Sequence, residues 1–420
     1  MVKGSDVASS RSIQAVALIT ALSLTGDSML YIALPVYWRE AGLDSLWQVG
    51  LLLSINRFVR LPLNPIVGWC YQKISLRMGL SFAIILGFVT TCGYGLIKGI
   101  IAWLVLRCLW GCAWSFLRIG GLSSVVHFSF QRHRGKMMGT YNGLYRLGSL
   151  VGMLLGGLFV PVVGLRTVSL VLGIAALCGL PLIVRFVPPI SRSRAEEPKK
   201  QRGNMLILLR SFFSIQALLV MISGFFVIML YQGIFVSTLS SAIEHFYGKE
   251  LKVFGLLLTA TFLSGLMQAL RWGWEPFLAV GVGKWSDGAR GRIPIYVVAL
   301  FIAAVAISLL SMTQPIIVWI AIILVFMLSA TAMTTLTDTL ASDVARTKGE
   351  NAVSFLTIYS IIEDLGAALG PFIAYLLIPL KSGFQSLYLG GALLFIMLAV
   401  LWLFQKKHGL SSKWVGKQSC

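Results

Sequence analysis

The sequence is short of charge, and of acidic residues above all. Only 12% of its 420 residues are charged, and Asp and Glu together number 15. A soluble domain carries roughly a quarter charged residues, so this chain lacks the charge needed to cover a water-facing surface. It is 57% hydrophobic, and its apolar residues fall in runs of about 20, the length that crosses a bilayer as a helix. These features exclude a soluble globular protein and predict an all-α, polytopic membrane protein.

The motifs of common enzyme classes are also missing. The sequence has no nucleophile elbow, no His-Glu-x-x-His metal motif and no phosphate-binding loop, and the apolar runs leave no room for a soluble catalytic domain. The six cysteines do not suggest a disulfide framework. Cys108 and Cys112 are one helical turn apart, but no histidine nearby would complete a metal site. We therefore expect neither enzyme activity, nor a cofactor, nor a bound metal.

Twelve apolar runs are long enough to be transmembrane helices. Their predicted bounds are 12–38, 48–70, 78–97, 100–126, 137–160, 167–184, 211–236, 253–283, 293–312, 315–341, 352–380 and 386–404. Loops on one side of these spans carry 23 Lys and Arg residues, and loops on the other side carry six. Because cytoplasmic loops are the positive ones, we predict that both termini and the loop at 185–210 are cytoplasmic.

The net charge of +20 then reflects membrane topology rather than a nucleic-acid partner. We expect the protein in a bacterial inner membrane or a plasma membrane, in contact with lipid, as a monomer.

A polar linker divides the chain into two similar halves. We place an N-terminal six-helix bundle at 1–187, a cytoplasmic linker at 188–210, a C-terminal six-helix bundle at 211–405 and a cytoplasmic tail at 406–420. Spans 5 and 11 share a pattern without a gap, in which Tyr141, Gly148 and Gly152 align with Tyr359, Gly366 and Gly370. Duplicated six-span halves are typical of transporters, whose substrate site lies at mid-membrane between the repeats.

Three motifs in this repeat resemble those of the Major Facilitator Superfamily, and they are most similar to its drug and metabolite–proton antiporters. Arg107 and Gly111 in span 4 resemble the buried-Arg motif of the family. Span 5 carries the series Gly148, Gly152, Gly156 and Gly157, similar to the antiporter motif, although glycines at this spacing also serve simple close packing. The loop after span 8 resembles the family's cytoplasmic loop motif through Gly283, Asp287, Arg290, Gly291 and Arg292.

The resemblance implies a fold of two pseudo-symmetric bundles of six helices. It also implies that the charged loop residues clamp the cytoplasmic face in one conformation. The matching loop of the first half has Tyr71 where the acidic residue is expected, so a charge clamp is not expected there.

Eleven charged residues fall inside the predicted spans, and each costs on the order of 2.5–3.5 kcal/mol at a helix centre. They should therefore face protein or a water-filled cavity, which makes them the candidate functional residues. The first half holds most of the arginines and the second half most of the acids. These residues are Arg57, Arg60, Arg107, Arg118, Arg146, Arg271, Asp27, Glu275, Asp338, Glu363 and Asp364.

Four of the acids are candidates for proton coupling. Asp27 resembles the membrane-embedded acid that several antiporters of the family carry in span 1, and the others are Glu275, Glu363 and Asp364. The alternative for Asp27 is a permanent ion pair with Arg107 that only fixes helix packing.

A substrate cavity is predicted around span 4. Arg107 and Arg118 are three turns apart on one helix face with Trp114 between them, and Arg146 comes from span 5. Guanidinium groups and an indole suit an anionic, partly aromatic solute, through bidentate contacts and stacking.

The resemblance further implies an inter-bundle gate. Spans 2 and 11 face each other in the family's fold, as do spans 5 and 8. We expect Arg57 and Arg60 to meet Glu363 and Asp364, and Arg146 to meet Glu275. Alternatively, Glu275 pairs with Arg271 one turn away on the same helix.

Three functions remain open at this point. The first is a proton-coupled exporter of a small organic solute that works by alternating access. The second is an importer or exchanger of an organic anion such as a phosphate ester, carboxylate or siderophore. The third, from another class, is a non-transporting membrane receptor or lipid-handling enzyme.

Overall fold

The computed structural model describes residues 2–128, 134–188, 214–253, 255–287, 291–348 and 352–407. In these ranges the chain is helical apart from one short hairpin. The helices are α1 (Val2–Tyr37), α2 (Leu46–Lys73), α3 (Leu76–Leu96), α4 (Ile100–Phe128), α5 (Arg134–Leu177), α6 (Gly179–Phe186), α7 (Ile215–Ile228), α8 (Val236–Tyr247), α9 (Ala260–Ser286), α10 (Arg292–Leu310), α11 (Ile316–Thr347), α12 (Ala352–Leu377) and α13 (Gly383–Lys407).

Nine helical stretches among the described residues are long and apolar enough to cross a membrane. One of them, Met137–Phe186, has 50 residues and covers predicted spans 5 and 6. Within it Gly164 has φ 79°, a left-handed conformation open to glycine, and so interrupts the helix between the two spans. Helices α2 and α9 cover spans 2 and 8 but are not among the nine stretches. The number twelve therefore stays a prediction.

Two predicted boundaries are wrong. Span 8 was expected to begin at residue 253, but the strands β1 (Glu250–Val253) and β2 (Leu256–Thr259) pair as an antiparallel hairpin there, and α9 begins at Ala260. Span 7 was expected to end at residue 236. The helix instead passes through a π-helical segment, Met229–Phe235, into α8.

The described residues fall into two compact units. The first is drawn from Met1–Pro198 and Val236–Gly273, and the second from Lys199–Phe235 and Trp274–Cys420. The predicted linker lies almost wholly outside the described residues, as does nearly all of the tail, so the predicted domain boundaries stay predictions.

In the first unit, α1 packs along α5, α2 along α4, and α3 against both α4 and α5. Its core contains the fully buried rings of Trp103, Trp110 and Tyr141. Tyr71 also lies in this core, where its hydroxyl donates to the carbonyl of Phe116 at 2.9 Å. Tyr71 therefore connects α2 to α4. It stands where the family's loop motif has an acidic residue, but its side chain packs in the core and forms no part of a charge clamp.

In the second unit, α10 packs between α11 and α13, and α7 packs on α11 and α12. Phe326 lies among Phe235, Tyr231 and Phe395, and Trp402 donates to Ser223 at 2.8 Å. Buried aromatic rings thus fill the centre of each unit.

Candidate substrate and proton sites

Arg107 ties three helices of the first unit together. Its side chain is fully buried, and its Nη1 forms an ion pair with Asp27 of α1, whose side chain is 10% exposed. Its Nε donates to the carbonyl of Leu52 in α2 at 2.8 Å. This is the arrangement described above as the structural alternative for Asp27. In this structure the protein itself binds Nη1 and Nε, and the remaining nitrogen, Nη2, is buried, so Arg107 does not present its nitrogens to a solute.

The glycine series of α5 sets how closely α1 and α5 pack. A Cβ added at Gly148 would stand 2.2 Å from the carbonyl oxygen of Ala21, and one at Gly152 would stand 2.3 Å from that of Thr25. Both distances are far below van der Waals contact, so the backbones of α1 and α5 touch directly. The series serves close packing, as small residues do between membrane helices.

Arg118 lies among aromatic rings. It is half-buried, its Nη1 donates to the hydroxyl of Tyr145 at 2.8 Å, and its guanidinium carbon lies 5.7 Å from the Tyr145 ring centre. Trp114 packs edge-on against Tyr145, with ring centres 6.0 Å apart. Among the described residues Arg118 forms no ion pair.

Other arginines of the first unit also stack on aromatic rings. Arg60 lies 6.0 Å from the ring centre of Trp114, and Arg57 contacts Tyr31 through its Nε at 3.4 Å. The resulting surface is cationic and aromatic, the combination predicted around span 4.

Trp272 of α9 contacts two arginines. The guanidinium carbon of Arg271 lies 4.1 Å from its ring centre, and that of Arg146 lies 5.5 Å away. Arg271 is 3% exposed, whereas Arg146 is exposed. Because an exposed guanidinium within a candidate span is costly in lipid, we expect Arg146 to face a water-accessible space.

The second unit contains three acids of α11 and α12, Asp338, Glu363 and Asp364, which we call the acidic group. Tyr359 of α12 is buried and donates its hydroxyl to Oδ1 of Asp338 in α11 at 3.0 Å. Glu363 follows Tyr359 by one helical turn, and Asp364 is its neighbour in sequence. The bond between Tyr359 and Asp338 thus brings a carboxyl group of α11 next to the part of α12 that carries Glu363 and Asp364.

The loop motif forms an ion-pair network at one end of α10. Arg292 binds Asp287 at 2.8 Å through Nη2, and its Nη1 pairs with Asp343 near the end of α11. Gly291 has φ 72°, which favours glycine where the chain turns into α10. Of the other motif residues, Gly283 lies in the last turn of α9, and Arg290 lies outside the described residues.

The sequence also matches a family model, described as Major Facilitator Superfamily, over residues 16–361. This match covers most of the chain. The chain belongs to the Major Facilitator Superfamily. It is therefore a multi-pass membrane protein, and it belongs to a family of transporters rather than of enzymes.

Curated relatives and solved structures agree with this family assignment. The chain is 24% identical over 196 residues to a probable vesicular acetylcholine transporter of Danio rerio and 27% identical over 167 residues to a human chromaffin granule amine transporter. These matches span 43% and 40% of the chain, but only 39% and 31% of the relatives' own lengths.

Two solved structures share the fold over nearly their whole length. The first is a bacterial homologue of the human lysosomal transporter Spinster in an inward-facing, occupied conformation, with TM-score 0.75, 14% identity and coverage of 96% of this chain and 98% of that one. The second is the nucleoside transporter NupG, with TM-score 0.72, 12% identity and coverage of 94% and 99%. At these identities the likeness concerns the fold alone.

Within this Major Facilitator chain, the predicted site residues fall into three groups. Asp27 and Arg107 are brought together, as are three of the loop-motif residues. Trp114 and Arg118 lie on the cationic, aromatic surface, and Arg146 lies against Trp272 of α9. The predicted gate joins residues of different units, so the pairing of Arg57 and Arg60 with Glu363 and Asp364, and of Arg146 with Glu275, stays a prediction.

Several residues were missed by sequence reasoning. Asp343 was outside predicted span 10, which ended at residue 341, whereas α11 continues to Thr347. Since α10 and α11 are consecutive helices of opposite direction, the end of one lies beside the start of the other, and this could have suggested the Arg292 pair. Tyr145 and Trp272 each adjoin a predicted arginine in sequence, but no pattern indicates that their rings meet arginines of other helices.

Proposed function

We propose that this chain is a proton-coupled exporter of a small organic solute that works by alternating access. The observation that supports the proposal most is the acidic group of α11 and α12, where Tyr359 binds Asp338 one helical turn from Glu363. Ionisable side chains within membrane helices are costly, and in transporters they serve proton relays. Glu363 and Asp364 are its proposed proton-carrying residues, with Glu275 as a further candidate.

The role of Asp27 separates two versions of the proposal. In the first, the Arg107 pair opens during transport and Asp27 carries a proton. In the second, the pair is permanent and the acidic group alone handles protons. The burial of both side chains and the additional bond from Arg107 to the carbonyl of Leu52 favour the second version.

The experiment is proton flux in liposomes that contain the purified protein and an internal pH dye. An imposed pH gradient should drive accumulation of a substrate from a panel of organic anions, neutral solutes and amines; the amines are included because two relatives are named for amine transport. Glu363→Gln should abolish accumulation. Glu250→Gln, an exposed hairpin residue, is the matched control and should leave it unchanged. Accumulation by Glu363→Gln at the wild-type rate would remove the acidic group from the mechanism.

A second candidate, an importer or exchanger of an organic anion, is supported by Arg118. This half-buried cation has an aromatic partner in place of a carboxylate among the described residues. Anion-for-anion exchange that needs no pH gradient would favour this candidate over the first.

A further inference from the structure

We propose that the hairpin of β1 and β2 inserts its tip into the interfacial layer of the membrane, so that its partner is the surface of the lipid bilayer. The tip is formed by the exposed residues Gly255, Leu256 and Leu257. The hydropathy pattern placed this segment inside a transmembrane helix, where it would have no separate role. The inference depends neither on which solute is transported nor on proton coupling.

The hairpin stands at the ends of two helices. Helix α8 ends at Tyr247, and α9 begins at Ala260, whose N–H donates to the carbonyl of Lys249 at 2.9 Å. The stretch Ile215–Tyr247, which contains α8, is one of those that are long and apolar enough to cross a membrane. The hairpin therefore begins where a candidate membrane span ends.

The tip carries apolar side chains that the protein does not cover. Leu256 is 65% exposed and Leu257 is 62% exposed, although neighbouring residues of a strand point to opposite faces. The tip is therefore exposed on both faces of the hairpin. In β1, by contrast, Leu251 and Val253 are buried, so the first strand is held against the protein and the second lies on the outside.

Neither bulk water nor the hydrocarbon core suits this tip. Moving the two leucine side chains out of water is favourable. The hydrocarbon core is excluded because the sheet has only two strands among the described residues, and open strand edges do not occur in contact with lipid at that depth. The interfacial layer meets both conditions, since it offers apolar chain segments on one side and water for backbone groups on the other.

Two lysines stand beside the leucines in a way that suits this layer. Lys252 is exposed and lies directly opposite Leu257 in the register of the hairpin. The side chain of Lys249 is 69% exposed despite a contact with Glu244 at 3.9 Å. A lysine can lay its apolar stem along the leucines and place its ammonium group among the lipid phosphates. Glu250 lies between the two lysines, so the net charge is small and we expect insertion into zwitterionic lipid as well.

The test is fluorescence quenching of the full-length protein in nanodiscs of zwitterionic lipid. Leu256→Cys, made in a variant without the native cysteines, carries an environment-sensitive dye. Two quenchers are compared, a lipid with a nitroxide near its headgroup and iodide in the water. The matched control is the same dye on Glu40→Cys, an exposed residue of the turn after α1. The ratio of lipid quenching to iodide quenching should be at least three-fold higher at position 256 than at position 40.

Second substitutions in the labelled variant separate the two parts of the tip. Leu257→Ser should lower the ratio at position 256 at least two-fold, because one of the two inserted side chains is lost. Lys252→Gln should lower it less in zwitterionic discs and more in discs that contain anionic lipid, because the ammonium group then loses a charged partner.

Two results would overturn the proposal. Equal ratios at positions 256 and 40 would mean that the tip stands in water. Weak quenching at position 256 by both quenchers would mean that a protein surface, such as a second copy of the chain, covers the tip. A photo-cross-linking amino acid at position 256 of the chain with its native cysteines gives a check that does not need the cysteine-free variant. It should form adducts with lipid, and adducts with protein alone would reject the bilayer as the partner.

Discussion

At the scale of single residues, Arg107 and Asp27 form a deeply buried ion pair. Arg107 is fully buried and Asp27 nearly so, and removing one member of such a pair leaves the other charge without compensation, at a cost of about 3–5 kcal/mol. We expect Asp27→Asn and Arg107→Gln each to lower the melting temperature strongly. The double variant should lose less than the two single losses combined, because no uncompensated charge remains. Additive losses would show that the two side chains do not depend on each other.

The same Asp27→Asn variant separates stability from coupling. If Asp27 carries a proton, proton-driven net transport should disappear while downhill exchange continues. Both activities are measured in liposomes, at a temperature below the lowered melting point. Intact proton coupling in this variant would leave Asp27 a packing role only.

The two acids that bind Arg292 differ in exposure, and this predicts unequal effects. The side chain of Asp343 is 22% exposed and that of Asp287 is 65% exposed. Exposed pairs contribute about 0–1 kcal/mol because water screens them. We therefore expect Asp343→Asn to lower the melting temperature more than Asp287→Asn does. The opposite order in thermal unfolding would indicate that Asp287 carries the network.

Residue types and spacing predicted which charges would stand within apolar spans. They did not indicate that Asp27, Arg107 and Arg271 would be the buried ones, nor all of the partners of these charges. The pair of Asp27 with Arg107 was open to prediction because both stand in apolar spans and carry opposite charge. The Arg146–Trp272 contact was not, because a tryptophan in a span has many possible neighbours and the aromatic ring carries no net charge. Partner choice here depends on helix packing, which a single sequence does not specify.

At the scale of elements, α5 offers a direct comparison of two glycines. A Cβ at Gly152 would meet the backbone of Thr25, while one at Gly143 would have nothing within 4 Å. Gly152→Ala should therefore push α1 and α5 apart, at a cost of about 1–3 kcal/mol for an overpacked core. Gly143→Ala should be neutral or stabilising by about 0.5–1 kcal/mol, because alanine favours a helix. Equal melting temperatures for the two variants would contradict the close packing.

At the hairpin Glu250–Thr259, hydropathy alone predicts the wrong secondary structure, because it predicts a helix where two strands form. Its leucines and valine extend the apolar run of α9 toward the N-terminus, so the run looks like one long span. Gly255, with φ 82°, allows a reversal that a helix cannot contain. In contrast, the ends of α3 and α10 agree with prediction to within two residues, because polar or charged residues bound their apolar runs.

At the scale of the whole molecule, the distribution of Lys and Arg predicts the orientation in the membrane. Loops with 23 basic residues should lie in the cytoplasm, and those with six should lie outside.

In a variant without its native cysteines, a cysteine at position 249 should react with an impermeant maleimide on intact cells, since the Lys249 side chain is 69% exposed. A cysteine at position 199, which lies outside the described residues, should react only after the membrane is opened. Positions 199 and 249 lie on either side of predicted span 7. An error of a few residues in one boundary of this span would not exchange their sides of the membrane. Reaction at 199 in intact cells, with 249 protected, would mean that the positive loops face outward and that the predicted orientation is inverted.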